Sequence, residues 1–391
     1  MTPGLDQPQL ARRNRQAVLQ LVRSNGGMSR RELSHSLGFS AAALTKIARD
    51  LLEPRLILEK RDPAATAGRP PTRLTLNPHA GCVVALSLSH TLDIGLTDLS
   101  GKLLWHRQLG VSIDGIPYAE AFEKGLPEAV KTLLANLPAP CLGIGVLTTG
   151  RVDRDGMICY NSAMPGGQAD IRATLAQLTD LPVLVDQEFR LLLRQHCWDE
   201  PGETARNIVA FSGRWWGYGS SQAAMTDGRL CYGRRGFAGQ AGRKMPVMHD
   251  VPEVHEMQTA VKEMGGEAVY LKGIVESHPA ARDVFSRVVD NYGFRLAQIV
   301  NHFDPELILI YGPYHELGER FLGPVREVMA RHTIPGDLDG LHLRLAGERT
   351  PEVTLRAAAV PVLAAAPGQQ SALEGDRSGA AAKVAARLLP C

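Results

Sequence analysis

A short segment near the amino terminus has the residue types that can read a DNA groove. Residues 40–52 read SAAALTKIARDLL. In a helix, the apolar residues of this segment would share one side: Leu44, Ile47, Ala48, Leu51 and Leu52. The other side would carry Ala42, Thr45, Lys46 and Arg49. A small alanine permits close approach to thymine methyl groups, while a hydroxyl and two cations can reach bases or phosphates. The pattern predicts a helix that reads the major groove.

Capping patterns predict how that helix is held. Ser29 and Glu32 form a capping box at the start of a preceding helix, which Gly38 would end. Ser40 then caps the reading helix. Two short helices joined by such a turn predict a helix-turn-helix. Further candidate DNA contacts lie at the two helix starts: Ser29, Arg30, Arg31 and Ser40. The alternative is a pair of solvated helices in a helical bundle.

The segment after these helices predicts a hairpin. Leu56 and Leu58 are spaced for one face of a strand, and so are Leu74 and Leu76. The loop between them holds Arg69 between a glycine and two prolines, which suits insertion into a minor groove. A stiff interdomain linker is the alternative for this loop, and it is compatible with that role. Together these features predict a winged helix-turn-helix of the MarR-like type.

Charge is unevenly distributed along the chain. Residues 1–80 carry 13 Lys/Arg and six Asp/Glu, a net charge of +7. The remaining residues carry 30 Lys/Arg and 35 Asp/Glu, a net charge of −5. A basic block attached to a slightly acidic body favours a polyanion-binding module joined to another domain. A chance surface fluctuation is the alternative.

Composition and cysteine spacing favour a cytoplasmic protein. The 391 residues are 44% apolar and 21% charged, which suits two or three domains with their own cores. We find no apolar run of about 18 residues and no apolar signal-peptide core, so neither a membrane partner nor export is expected. The six cysteines stand singly, without a C-x-x-C pair. Scattered reduced thiols are therefore expected rather than disulfides or a zinc site.

From Gly81 the pattern changes to alternating strands and helices. Strands are predicted in the segments CVVALSLSH, LDIGLTDLSGKLL, LGIGVLTTGRVD, LPVLVD, NIVAFSGRW and LILIYG. Helices are predicted at Tyr118–Leu137, in the residues up to Trp198, and at Val284–His302. Because mixed sheets with helices occur twice, the fold class is α/β, with two lobes and a ligand site expected in the cleft between them.

Several motifs together resemble the ROK family. They are S-R-x-E-L at 29–33, G-x-S at 38–40, L-L at 51–52 and G-R-P-P at 68–71. The resemblance extends to about residue 366. It implies a two-lobed actin-like ATPase (ribonuclease H-like) body, in a family of sugar kinases and DNA-binding repressors. The implied division is a winged helix-turn-helix domain with wing and linker at 1–78, a first lobe at 79–187, a second lobe with the C-terminal helix at 188–366, and a disordered tail at 367–391.

The family's nucleotide-binding loops are altered in this chain. Where the kinases have a D-x-G-x-T phosphate loop, residues 87–91 read SLSHT, without the acid or the glycine. The second loop contains Trp215 and Trp216, which would crowd a phosphate where backbone amides must approach closely. After the late strand, Tyr311-Gly312-Pro313 replaces the paired glycines. The resemblance therefore implies a body that no longer binds ATP.

The family's sugar and zinc residues are altered too. The N-D pair that carries the kinase general base corresponds to Gln187 and Glu188, and a displacement of about 1 Å can cost roughly a hundredfold in rate. A sugar-contacting Asn corresponds to Ala163. In the G-E-x-G-H motif, the Glu corresponds to Gln240 and the zinc-binding His to Arg243. No cysteine cluster follows, so no metal, cofactor or catalytic residue is expected.

Four positions remain candidates for binding an effector: Gln187, Glu188, Gln240 and Arg243. Arg243 places a fixed cation at the former zinc position, which favours an anionic effector such as a phosphorylated or acidic sugar. The alternative is that Arg243 pairs with Glu188 or another acid and that the body binds no ligand.

The leading hypothesis is a DNA-binding transcriptional regulator, a repressor rather than an enzyme, that acts in carbohydrate metabolism. Its ROK body would sense a sugar or anionic sugar derivative, dimerise, or both. A homodimer or tetramer would place two winged domains on the half-sites of a palindromic double-stranded operator. One alternative is a sugar kinase with an accessory DNA-binding domain. The other is a ligand-independent DNA-binding oligomer.

Overall fold

A computed structural model describes residues 7–61, 72–89, 91–111, 118–161, 168–212, 221–239 and 252–365. These residues fall into two compact units. The first contains the described residues up to 203 together with 351–365, and the second contains those within 204–350. In the described part of the chain, no helix has the length and apolar character needed to cross a membrane.

The amino-terminal part of the first unit combines helices with a small sheet. Its elements, in chain order, are α1 (Gln7–Ser24), β1 (Met28–Ser29), α2 (Arg30–Leu37), α3 (Ala41–Leu52), β2 (Ile57–Arg61) and β3 (Thr72–Leu76). In the sheet, β3 lies between β1 and β2 and is antiparallel to both. This is the element order of a winged helix-turn-helix, and the predicted hairpin is confirmed.

One apolar core holds these elements together. It is formed by buried residues of the helices and the sheet: Val18, Leu19, Val22, Met28, Leu33, Leu44, Ile47, Ala48, Leu51, Ile57 and Leu74. Ile57, the first residue of β2, is fully buried, whereas Leu56 just before the strand and Leu58 within it are half-buried. The apolar Ile57 between the two leucines therefore takes the core position, which the leucine spacing alone did not indicate.

The rest of the first unit is a five-stranded sheet with helices. The strands are β4 (Cys82–Leu88), β5 (Thr91–Asp98), β6 (Leu103–Val111), β7 (Cys141–Thr148) and β10 (Val183–Gln187), with a separate ribbon of β8 (Arg151–Val152) and β9 (Ile158–Tyr160). The order is β10-β7-β4-β5-β6. Strands β10, β7 and β4 are parallel, β5 is antiparallel to β4, and β6 is antiparallel to β5.

The helices of this part of the first unit follow the strands in sequence. They are α4 (Tyr118–Glu120), α5 (Leu126–Ala135), α6 (Ile171–Ala176) and α7 (Glu188–Asp199). A π-helical turn, Ala121–Gly125, joins α4 to α5. The predicted helix at Tyr118–Leu137 is thus present, with one wider turn inside it.

The second unit repeats the same sheet pattern. Its strands are β11 (Ile208–Ser212), β12 (Ser221–Thr226), β13 (Arg229–Leu230), β14 (Leu307–Tyr311) and β15 (His342–Gly347). Its helices are α8 (Pro252–Glu263), α9 (Glu267–Val275), α10 (Pro279–Phe303) and α11 (Glu319–His332). The order is β13-β12-β11-β14-β15, with β11, β14 and β15 parallel. The expectation of two mixed α/β lobes is confirmed.

The last described helix, α12 (Pro351–Ala365), belongs to the first unit rather than the second. It packs on α7, β7 and β4. The approach to β7 is very close, because a Cβ added at Gly145 would lie 1.9 Å from the Ala358 carbonyl oxygen. The units therefore divide near residues 203 and 350, whereas the sequence placed α7 and α12 with the second lobe. The tail at 367–391 lies outside the described residues.

Candidate nucleic-acid interface

The outer side of α3 is exposed and carries the predicted contact residues. Leu44, Ile47 and Ala48 face the core, whereas Ala42, Thr45, Lys46 and Arg49 are exposed. The exposed positions are three or four residues apart, so they share one helix face. The Thr45 hydroxyl donates to the Ala41 carbonyl at 2.7 Å, and Arg49 Nε lies 3.9 Å from Glu53 Oε1. Lys46 makes no ion pair with any other residue that the structure describes.

Side-chain caps fix the starts of α2 and α3. The Ser29 hydroxyl accepts from the Glu32 N–H at 3.2 Å, and the Glu32 carboxylate accepts from the Ser29 N–H at 2.7 Å. The Ser40 hydroxyl accepts from the Ala43 N–H at 3.2 Å. Gly38 ends α2 with φ +66°, a conformation that glycine adopts at little cost. The predicted capping box, turn and second cap are all confirmed.

A groove of about 780 Å³ lies between α2 and α3. Its lining residues are Arg30, Arg31, Glu32, Ser34, His35, Ala41, Leu44 and Thr45. His35 was not among the predicted contacts, although it follows Arg31 by four residues on α2 and therefore lies on the same side. Exposed Arg31 and His35 add cationic and hydrogen-bonding groups beside the outer face of α3.

Two arginines that were predicted together as DNA contacts differ in the structure. Arg30 Nη2 is 2.5 Å from Glu59 Oε1, an ion pair between α2 and β2 with both side chains partly exposed. Arg31 is exposed and forms no ion pair within the described residues. Arg30 thus ties α2 to the hairpin, whereas Arg31 is available to a phosphate. Arg69, the predicted minor-groove contact, lies outside the described residues.

A second set of contacts joins α1 to the five-stranded part of the same unit. The Arg23 guanidinium lies over the Trp198 ring, 3.9 Å from its centroid, and donates to the Trp198 carbonyl oxygen. Gln16 Nε2 donates to the Ala364 carbonyl of α12 at 2.8 Å. Burial lowers the pKa of Arg23 to about 10, opposed by the nearby Asp199 carboxylate. The DNA-binding helices are therefore attached through α1 as well as through the chain after β3.

The candidate effector residues Gln187 and Glu188 lie at the carboxyl end of β10. The last residues of β4 and β10, Leu88 and Gln187, are both in register with Thr148 of β7. Gln187, Glu188 and Thr148 are almost completely buried. Ligands of open α/β sheets bind at such strand ends. Asn161 also lies here and donates to Thr148 Oγ1 at 2.9 Å and to the Leu88 carbonyl at 3.1 Å.

Gln187 has a structural role that the sequence did not predict. Its Oε1 accepts from the N–H groups of Phe189 at 2.9 Å and Arg190 at 3.2 Å, so it caps α7. Buried Arg190 pairs with Asp186, whose Oδ1 is 2.5 Å from Arg190 Nη2. This pairing compensates the buried charge of Arg190. Glu188 is a buried carboxylate at the same edge.

Hydrogen bonds join Asp93 to Thr91 and to His106, next to the segment that corresponds to the phosphate loop of the kinases. Asp93 of β5 is buried and lies opposite Ser87 of β4. Its two carboxylate oxygens contact Thr91 Oγ1 at 2.5 Å and His106 Nε2 at 3.0 Å. An acid is therefore present beside the expected loop, but its oxygens are occupied by neighbouring side chains.

The other two candidate effector residues, Gln240 and Arg243, lie outside the described residues. The same is true of Ala163, Trp215 and Trp216. Within the parts of the chain that are described, no three His, Cys, Asp or Glu side chains are grouped to hold a metal ion.

Comparison with known proteins agrees with this combination of elements. Residues 89–253 match the model of the ROK family, so this segment of the chain carries a ROK domain, in agreement with the resemblance seen in the sequence. A crystal structure of a ROK family transcriptional regulator, a homolog of the E. coli Mlc protein, aligns with a TM-score of 0.72 and 21% identity, covering 92% of this chain and 97% of that one.

Two repressors are similar over most of the chain. The xylose repressor of Caldicellulosiruptor bescii is 20% identical, with 81% of this chain and 87% of the relative covered. The DNA-binding transcriptional repressor Mlc of Escherichia coli is 21% identical, with 84% of this chain and 87% of the relative covered. Both alignments are too long to fit the ROK domain alone.

Proposed function

We propose that this protein is a transcriptional repressor that binds double-stranded DNA through α3 and is not an enzyme. The observation that carries this proposal is the exposed face of a helix capped at Ser40, with Ala42, Thr45, Lys46 and Arg49 along it. A helix with small residues at its start and cations further along can enter a major groove and meet both base edges and phosphates. The names of the two similar repressors support the same function.

A homodimer or tetramer that acts in the cytoplasm on a palindromic operator is the form that we propose. Two copies of one reading helix bind two half-sites about 34–36 Å apart, one turn of the DNA helix. The direct test is to sequence the DNA that the purified full-length protein retains from a random pool. An inverted repeat would support the proposal. Recovery of DNA without any shared sequence would contradict it.

We also propose that the carboxyl end of the first sheet binds a sugar or an anionic sugar derivative. Support comes from the position of buried Glu188 and Asn161 at the carboxyl ends of the parallel strands, where ligands of open α/β sheets bind. One similar protein is named a xylose repressor, so neutral pentoses belong in the test beside acidic and phosphorylated sugars. Arg243 would hold the anion in the second case.

Calorimetry on the full-length protein separates these ligands. If an acidic sugar gives heat with the wild-type protein and none with Arg243→Ala, the anionic effector is supported. If a neutral sugar gives heat with the wild-type protein and none with Glu188→Gln, the neutral effector is supported. No heat from either class would contradict the ligand proposal and favour a ligand-independent oligomer.

A sugar kinase is the competing function. The altered loop argues against it, because residues 87–91 lack the acid and the glycine of the kinase phosphate loop. The nearby Asp93 uses its carboxylate oxygens in contacts with Thr91 and His106. ATP turnover with sugars that are substrates of ROK kinases would establish the kinase and contradict the assignment as a non-enzyme.

A further inference from the structure

Two of the cysteines are neighbours in the first sheet, although they are 59 positions apart in sequence. Cys82 is the first residue of β4 and Cys141 the first of β7, and the two are paired across these parallel strands. The two thiols are close enough for each to change the pKa of the other. Both thiols are free. This pairing could not be predicted from the cysteine spacing, because the sequence contains no C-x-x-C pair.

The backbone spacing of the pair suits a disulfide. Neighbouring strands are about 4.7–4.9 Å apart, and the Cα atoms of disulfides are usually about 4.4–6.8 Å apart. The two residues are paired beside an irregularity in the strand register, and both side chains belong to the same apolar cluster. Cys82 is completely buried, whereas Cys141 is half-buried and can be reached by a small molecule.

The two sulfurs have different chemical characters. The neighbouring Cys82 thiol lowers the pKa of Cys141 to about 7, against the effect of burial. The neighbouring Cys141 sulfur, together with burial, raises the pKa of Cys82. Cys82 donates to the Ala139 carbonyl at 3.2 Å. One residue therefore has the properties of an attacking thiolate and the other those of a resolving thiol.

We propose that Cys82 and Cys141 form a peroxide-sensitive dithiol, which closes into a disulfide between β4 and β7. The Cys141 thiolate attacks one oxygen of a hydroperoxide, the O–O bond breaks, and a sulfenic acid and water (or an alcohol) form. The Cys82 thiol then attacks the sulfenic sulfur, the S–S bond forms, and the hydroxyl leaves with the Cys82 proton as water. In total, two thiols lose two electrons and two protons to the peroxide.

The cysteine pair lies close to the end of the winged domain in the chain. Strand β3 of the winged domain ends at Leu76, and the chain reaches Cys82 through the short 3-10 helix Pro78–Ala80. The Leu99 N–H donates to the Pro78 carbonyl at 3.1 Å, and the Cys82 N–H donates to the Pro140 carbonyl at 3.0 Å. A disulfide would therefore form where the chain enters the five-stranded sheet from the winged domain.

The test is mass spectrometry of the full-length protein after treatment with hydrogen peroxide. We expect a loss of about 2 Da, a cross-linked peptide pair containing Cys82 and Cys141, and reversal by dithiothreitol. In the Cys82→Ser variant, a sulfenic acid should remain on Cys141 and be trapped by dimedone. In the Cys141→Ser variant, the loss in mass should disappear.

Cys231→Ser is the matched control, because Cys231 is also half-buried but contacts the Thr226 hydroxyl instead of a second thiol. This variant should form the disulfide at the wild-type rate. The proposal would be overturned if the wild-type protein gained about 16 or 32 Da at Cys141 without a cross-link, or if the disulfide joined other cysteines or two chains. The wild-type peptide map decides the question even if a variant fails to fold.

Discussion

The guanidinium of Arg23 stacks on the indole ring of Trp198, which joins the first helix of the winged domain to α7 of the five-stranded part of the same unit. Asp199 follows Trp198 and pairs with Arg356 of α12, with Oδ1 and Nη2 3.1 Å apart. Three helices therefore meet at this point. Because the charge of Arg23 is partly buried, its stacking and hydrogen bonding replace the water that it has lost.

Replacing this arginine should loosen α1 from the body. We expect Arg23→Ala to destabilise the attachment by roughly 1–2 kcal/mol, the value of a partly desolvated cation–π contact. Hydrogen exchange measured residue by residue should then be faster in α1. Arg13→Ala, on an exposed position of the same helix, is the control. Equal exchange rates in the two variants would show that the contact contributes nothing to the attachment.

The two cations of α3 should differ in their effect on DNA binding. Arg49→Ala should cost about 1–3 kcal/mol and relax the sequence preference, because Arg49 lies furthest along the reading face and can contact a base. Lys46→Ala should weaken binding to all sequences and reduce the salt slope by about 1. Both are measured by titration with the selected DNA at several salt concentrations.

Lys131→Ala controls for the loss of any exposed cation, since Lys131 is exposed on α5, which is not part of the helix-turn-helix. Its affinity and salt slope should equal those of the wild-type protein. If Arg49→Ala and Lys46→Ala also bound like wild type, α3 would not be the reading helix.

The capping box at Ser29 should contribute measurably to the stability of the winged domain. Ser29→Ala removes the acceptor for the Glu32 N–H and should cost about 1 kcal/mol. Chemical denaturation in the absence of DNA measures this effect separately from any contact that Ser29 makes with DNA. Ser36→Ala, on the exposed side of α2, should leave stability unchanged or slightly increased. A loss of the same size at Ser36 would mean that the cap is not the cause.

The close approach of α12 to β7 predicts that a side chain added at Gly145 destabilises the five-stranded part of the first unit. Gly145→Ala would place a methyl group against the Ala358 carbonyl, so α12 must shift, at a cost of about 1–3 kcal/mol. Gly125→Ala is the opposite case, because Gly125 is helical with φ −68° and has nothing within 4 Å of an added Cβ. That substitution should stabilise the protein by roughly 0.5–1 kcal/mol. Thermal denaturation of both variants tests the contrast.

Features determined by local sequence could be predicted from the sequence. The caps at Ser29 and Ser40 and the glycine at the end of α2 depend on residues within four positions of each other, and all were found as expected. The repeated strand pattern also predicted two mixed sheets, because buried strands are continuous apolar runs.

Features determined by distant contacts could not be predicted in this way. The position of α12 depends on the missing side chain of Gly145, more than 200 residues earlier. The hydrogen bonds of Asp93 with Thr91 and His106 depend on the register of β5 against β6. Gln187 was expected to face a ligand, but a glutamine one residue before a helix can also turn back to cap it, as it does here.

The return of α12 to the first unit also affects the order of folding during synthesis. The winged domain has its own core, formed entirely by residues 18–74. It can therefore fold as soon as these residues leave the ribosome, since domains fold as units from the amino terminus. The five-stranded sheet must wait for residues 351–365, after the whole second unit has been made. A nascent chain would thus carry a folded reading helix before the body that anchors it is complete.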